Sequence, residues 1–178
     1  MKKLVFWLNL AIILTSTCFA GQISKGQGLF PNDSMTFLFH LNDCGGTTFR
    51  DDLTGISGNL VSGAICVSGM YGKAISFDGV DDNATFTHST TMNKTTFTYI
   101  LLIRRTSAGG TSQRLIGLCS ANEGTALRLF DTDRLLNLEY AGNLYVIAND
   151  PIPLNKWTVV AVSVRFPTAI GYIDGDQK

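Results

Sequence analysis

The chain is poor in charge. Of its 178 residues only 16% are charged, with 14 Lys and Arg against 14 Asp and Glu, well under the roughly 25% of an average soluble domain. Charge-driven disorder is therefore excluded, and so is the basic surface that a nucleic-acid partner requires. Histidine is confined to His40 and His88, and glutamate to Glu123 and Glu139. A nucleophile–histidine–acid triad is hard to assemble from so few histidines, and a carboxylate pair flanking a glycosidic bond has little material. The cysteines, Cys18, Cys44, Cys66 and Cys119, form no Cys-x-x-Cys and lie near no histidine-rich stretch, which leaves a zinc centre unsupported. No apolar run reaches the about twenty residues of a membrane-crossing helix. No solenoid or propeller repeat is visible, and no low-complexity linker divides the chain.

What is there begins with an address. Met1-Lys2-Lys3 is a short basic start, Leu4 to Leu14 is apolar and broken only by Asn9, and Thr15 to Ala20 is a mostly small-residue stretch followed by Gly21. Residues 1–20 read as a secretory signal peptide cleaved after Ala20. A lipid anchor on Cys18 is the weaker reading, because Thr15, Ser16 and Thr17 are too polar before it. The expected location is secreted or cell envelope, periplasm or cell surface, with no stable membrane insertion after cleavage. Losing Lys2 and Lys3 leaves 12 basic against 14 acidic residues, a net of −2. Such a compartment tolerates disulfides. Three cysteines remain and cannot all pair; either Cys44 bridges Cys66, with Cys119 a buried thiol in Leu115-Ile116-Gly117-Leu118-Cys119, or all three stay free.

From Met35 onward, short runs of β-branched and aromatic residues alternate with Gly, Asn, Asp and Pro. The expectation is all-β, with strands at 35–41, 60–67, 73–77, 84–87, 96–104, 113–118, 126–131, 135–140, 144–148, 156–166 and 169–173. Residues 96–103 and 157–164 are apolar on both faces and are expected to be central. Asp174-Gly175 reads as a hairpin turn with positive φ. Pro151 and Pro153 lack donors and place residues 149–155 in a loop. Residues 21–34 read as an N-terminal lead-in.

Four pieces then occur in a telling order. They are Gly72-Lys73-Ala74-Ile75-Ser76-Phe77-Asp78-Gly79-Val80-Asp81-Asp82, Phe97-Thr98-Tyr99-Ile100, Asn155-Lys156-Trp157-Thr158-Val159-Val160-Ala161, and Tyr172-Ile173-Asp174-Gly175. Together they resemble the laminin-G-like jelly rolls of the concanavalin A-like lectin/glucanase superfamily, over residues 35–178. Phe37 to Leu41, Thr47 to Asp52 and Gly55 to Asn59 look like the family's opening strand and Gly-rich loop. The resemblance implies a two-sheet antiparallel β-sandwich. Two departures accompany it: Leu101 to Ile103 stand where the family usually carries Trp, and the domain is expected to be truncated at its C-terminus, leaving an unpaired edge.

Asp78, Asp81, Asp82 and Asn83 put four oxygen-bearing side chains within six residues. They are either Asx turns or ligands for a hard cation, and the resemblance implies calcium, with Asp51 and Asp52 the next candidates. Glu123 and Glu139 lie in no Glu-x-Asp-x-x-Glu motif of the family's glucanases. Asp131 and Asp133 read better as a hairpin turn than as a catalytic pair, so a non-catalytic protein is expected. Sugar rings stack on aromatic faces, and Tyr140, Tyr145 and Tyr172 are the candidate platforms. Trp157 is expected to be packed inside, and His40, in the opening strand, to be a packed or edge residue. The function implied is a secreted binding module for glycan or adhesion, supported by calcium. The alternatives are a structural or protein–protein interaction module of the envelope, and a fragment of a polysaccharide-degrading enzyme.

Overall fold

The computed structural model describes residues 6–14, 35–87, 95–107, 112–118, 125–130, 135–140 and 143–178. Every element among them is a strand. In chain order they are β1 (Phe6–Leu14), β2 (Met35–Phe39), β3 (Thr48–Arg50), β4 (Ser57–Val61), β5 (Ile65–Ser68), β6 (Lys73–Phe77), β7 (Asn83–Phe86), β8 (Thr96–Arg105), β9 (Ser112–Leu118), β10 (Thr125–Phe130), β11 (Leu135–Tyr140), β12 (Asn143–Ala148), β13 (Trp157–Arg165), β14 (Thr168–Ile173) and β15 (Asp176–Gln177). The largest sheet runs β15-β14-β13-β8-β1-β6-β5, with β2 also on β1; the others run β12-β11-β10-β9 and β3-β4-β7. All the strand pairings are antiparallel. The arrangement is a β-sandwich of jelly-roll type.

β8 and β13 are central, as their two-faced apolar sequences require. Phe97, Tyr99, Leu101, Ile103 and Arg105 of β8 are buried, while Thr96, Thr98, Ile100, Leu102 and Arg104 are half-buried on the other face. On β13 the core parity is Thr158, Val160, Val162 and Val164. That parity corrects the expectation for Trp157, which stands half-buried on the face away from the core, opposite Arg104. Successive strand residues point to opposite sides, so Val160 and Trp157 cannot share one.

Against the core face of the large sheet lie Leu127 and Leu129 of β10, Leu136 and Leu138 of β11, and Phe49 and Leu60 of the smallest sheet, all in one buried cluster. Four phenylalanines seat that smallest sheet: Phe39 meets Phe49 at 5.4 Å and Phe86 at 5.2 Å, and Phe37 meets Phe86 at 5.5 Å between ring centroids. Such tilted and edge-on contacts are the favoured aromatic geometries. Tyr99 is buried beside Phe97, and burial pushes its phenol well above the ordinary tyrosine range.

Two local expectations need adjusting, and one stretch expected to be leader is paired in the structure. Residues 60–67 are not one strand: Ser62 and Gly63 adopt positive φ and turn β4 into β5. Thr48–Arg50 and Asp176–Gln177 are short strands whose sequences carry too little pattern to read. Phe6–Leu14, read as leader, is paired in the large sheet, along β8 on one side and along β6 and β2 on the other. An apolar run of this composition suits a leader and a central strand alike, so periodicity does not separate the two. Residues 15–34, which include the whole of the expected lead-in, lie outside the described residues, as do His88, Cys119, Glu123, Asp131 and Asp133.

Other expectations hold. Cys44 is bonded to Cys66, with Cα atoms 5.9 Å apart, tying the loop after β2 to β5. Asp174 and Gly175 both have positive φ and form a two-residue turn between Ile173 and Asp176. Residues 149–156 form a loop, which Ile152 anchors by full burial. Asp174 also accepts from the Val159 N–H at 2.9 Å and from Lys156 Nζ at 2.7 Å. The Lys156 hydrogen bond, then the Val159 N–H, holds its carboxyl below the usual range.

Two outcomes are expected. Replacing Cys44 and Cys66 together by alanine frees a loop of 22 residues and lowers stability by about 3 kcal/mol on loop-entropy grounds, read from urea unfolding. Asp174 has a depressed folded pKa, so its contribution is present above the unfolded carboxylate range and fades as pH falls through the folded value. The gap in urea midpoint between the wild type and Asp174→Asn should therefore narrow from neutral pH toward about pH 3. The gap itself should be small, because the ion pair is exposed.

Candidate functional site

A groove of about 310 Å³ opens between β12 and the β13–β14 hairpin, lined by Tyr140, Tyr145, Val146, Ile147, Phe166 and Pro167 among others. The hairpin turns at Phe166-Pro167, whose peptide bond is cis. The turn holds Phe166 out into solvent, 56% exposed, where it stacks on Tyr140 at 5.2 Å between centroids and 28° between planes. Tyr145 is 43% exposed on β12. Leu144, Tyr145 and Val146 form an exposed apolar run on what is an edge strand of its sheet.

The approach of β14 to β12 beside the groove depends on one glycine. A Cβ on Gly171 of β14 would lie 2.2 Å from the Ile147 carbonyl oxygen, so β12 can lie this close to β14 only without a side chain there. Tyr140 and Tyr145 thus come together at the groove. Tyr172 does not: it is half-buried on β14, opposite Ala161 and Gln177, on the parity opposite to the buried Gly171 and Ile173. Sequence reading missed Phe166 and Pro167. An aromatic next to proline between two strands, Arg165-Phe166-Pro167-Thr168, is the signal that marks an exposed turn aromatic.

The second candidate lies where the chain crosses from β6 in the large sheet to β7 in the smallest. Asp78, Asp81 and Asp82 each place a carboxylate oxygen within 4.8 Å of the others. Calcium–oxygen distances of about 2.3–2.6 Å put ligands on opposite sides of the ion about 5 Å apart, so the spacing and the all-oxygen donor set both fit calcium. The turn is also self-bonded: Asp82 Oδ2 accepts from the Asp78 N–H at 2.7 Å, Asp78 Oδ1 from the Val80 N–H at 2.9 Å, and Asn83 Nδ2 donates to the Asp81 carbonyl at 3.2 Å. The Asx-turn reading and the ligand reading are therefore compatible, because each carboxylate has a second oxygen.

Asp51 and Asp52 stand apart from this group. Asp51 is buried and accepts from the N–H groups of Leu38 at 2.6 Å and Thr54 at 2.9 Å, and from the Thr54 hydroxyl. Asp52 Oδ2 accepts from the His40 N–H at 2.8 Å and lies 3.2 Å from His40 Nδ1. Both aspartates shape the loop from the strand β3 to β4 and fasten it to β2. Glu139 is bridged by Arg128 and, at 3.6 Å, by Arg114, a cross-strand cluster on β9, β10 and β11.

A jelly-roll sandwich with an aromatic groove at one sheet edge and an acidic turn at a sheet crossing defines the class, a β-sandwich binding module. A family model described as the concanavalin A-like lectin/glucanases superfamily, of laminin G type, matches residues 78–178. That is more than half of the chain, and the chain belongs to this family. The match begins at the acidic turn and covers the groove, whereas residues 35–77, where the opening strand and Gly-rich loop were read, lie outside it. No curated protein and no solved structure matches the chain. Among the described residues no helix is long and apolar enough to cross a membrane.

The groove's dependence on Gly171 is testable. Gly171→Ala should lower stability by about 1–3 kcal/mol, the usual cost of overpacking, and reduce the near-UV signal of Tyr140 and Phe166 as β12 moves away. An unchanged near-UV spectrum would show that the strand contact does not set the groove.

Proposed function

We propose that the protein is a secreted or envelope-exposed, non-catalytic module that binds glycan in the groove at Tyr140, Tyr145 and Phe166, with calcium supporting the fold at Asp78, Asp81 and Asp82. The observation that carries the reading is the Tyr140–Phe166 stack beside the exposed Tyr145. Aromatic faces take the C–H faces of a sugar, and Tyr140, Tyr145 and Thr168 of the lining carry hydroxyls that can hydrogen-bond. Family membership supports a carbohydrate- or protein-binding role. The leader pattern and the Cys44–Cys66 bridge support export. Glu139, committed to two arginines, is poorly placed as a general acid or base.

Calcium at the acidic turn would pin the β6–β7 crossing, relieving repulsion among three carboxylates and joining two sheets. Its role is structural in this reading. One observation favours a second reading: the exposed run Leu144-Tyr145-Val146 on the edge strand β12 is also a surface for a protein partner.

Titration with a soluble saccharide panel, read by tyrosine fluorescence and calorimetry, tests the first reading. At least one saccharide should bind, and Tyr145→Ala should weaken it roughly fivefold to tenfold, the loss of about 1 kcal/mol of stacking, without moving Tm. A silent panel would overturn glycan recognition and leave the protein-partner reading. Calcium at about 100 times its Kd should stabilise the protein by about 2.7 kcal/mol, raising Tm by roughly 5–10 °C for this size. Chelator and Asp81→Asn should each abolish the shift; a melt indifferent to calcium would reduce the aspartates to turn residues.

A further inference from the structure

We propose that Asn83 is an acceptor for an N-linked glycan, attached as the chain is exported and carried on the end strand of the smallest sheet. The proposal rests on the export reading above and adds a modification site to it.

The sequence holds three Asn-x-Ser/Thr patterns, Asn32-Asp33-Ser34, Asn83-Ala84-Thr85 and Asn93-Lys94-Thr95, the acceptor unit of N-glycosylation. They differ two residues before the asparagine, where Phe30, Asp81 and Thr91 stand. Transferases of the bacterial kind grip the acceptor there with a cationic side chain, a charge-assisted contact that asks for a carboxylate. Of the three, Asp81-Asp82-Asn83-Ala84-Thr85 alone supplies one.

The folded protein has room for the product. Asn83 opens β7, an end strand of its sheet among the described residues, and pairs with Val61 at the last rung of the β4–β7 ladder. Asn83 and Thr85 are exposed, whereas Ala84 and Phe86 are half-buried, so strand alternation turns both acceptor residues to solvent. Asn32 and Asn93 lie outside the described residues. The Asn83 Nδ2 donates to the Asp81 carbonyl at 3.2 Å; a glycan replaces one of its two N–H bonds and leaves the other to donate. The strand Asn83–Phe86 carries no charge, and a hydrated glycan at its start would keep such an edge from pairing with another chain.

The transfer balances with one co-reactant, a glycan linked to a polyprenyl diphosphate. The Asn83 Nδ2 forms a bond to C1 of the first sugar as the C1–O bond to the diphosphate breaks. The diphosphate leaves with the electron pair, and the nitrogen gives one proton to a carboxylate of the transferase. Modification during export precedes folding of the acidic turn, so the transferase and calcium use Asp81 at different times.

The test expresses the full-length chain in bacteria that carry a carboxylate-reading N-oligosaccharyltransferase, its lipid-linked glycan and a control acceptor protein. Intact mass of the exported protein should show the leader removed and a single glycan added, and fragmentation should place it on Asn83. Asn83→Gln, Thr85→Ala and Asp81→Asn should each remove the added mass, whereas Thr85→Ser, which keeps the hydroxyl, should retain it. Because the unfolded segment is the acceptor, a variant that folds poorly is still read. An exported chain without glycan beside a modified control would overturn the proposal, as would a glycan on Asn32 or Asn93 and none on Asn83. Purified transferase acting on the full-length chain diluted from urea reads the acceptor without export. Modification of Asn83 there, with the leader uncut in cells, would sink the export reading and leave the acceptor standing; no modification there would overturn the acceptor itself.

Discussion

The structure depends on the hydrogen-bonded pairing along β8. This ten-residue strand has β13 along one side and β1 along the other. It also presents Phe97, Tyr99, Leu101 and Ile103 to the smaller sheets. A strand buried on one face and half-covered on the other must have both its edges satisfied, because water reaches neither easily. That constraint explains why β8 and β13 are among the most apolar stretches of the chain. It also explains why the apolar run Phe6–Leu14 pairs beside β8: the place asks for composition and extension, and this run has both.

Around that centre, polar side chains do the joining. Asp51 and Asp52 turn their carboxylates on the backbone of β2 and its own loop. Asp174 fastens the β14–β15 turn to β13. Asp78 and Asp82 bond across the turn that links two sheets. In a chain this poor in charge, most of its aspartates in the described turns are used as local hydrogen-bond acceptors. Asp78, Asp81 and Asp82 differ in lying close enough together to share one cation.

The groove comes from a different constraint, close approach of backbones. Gly171 lets β12 lie against β14, and the β13–β14 turn at Phe166-Pro167 brings an aromatic ring from the large sheet to Tyr140 of the four-stranded sheet. The groove is thus a junction of two sheets, a frame rigid enough for the binding role proposed above. The lining of this junction offers hydroxyls and apolar faces.

Much of this was legible in the sequence. Alternation and β-branching announced β6, β8, β11, β13 and β14, the Asp174-Gly175 turn followed from residues that tolerate positive φ, and the ordered motifs identified the family. These are local properties, set by neighbours along the chain, which is why a sequence displays them. The turn at Ser62-Gly63 was hidden because serine rarely takes positive φ, and Trp157 was misplaced because an apolar strand does not declare which of its faces is the core. The pairing of Tyr140 with Phe166, the exclusion of Tyr172, the separation of Asp51 and Asp52 from the acidic turn, and the place of Phe6–Leu14 in the sheet were decided only by tertiary structure. Each depends on which strands lie side by side, and that is settled by the burial of whole faces between sheets, a sum over distant residues that no local window contains.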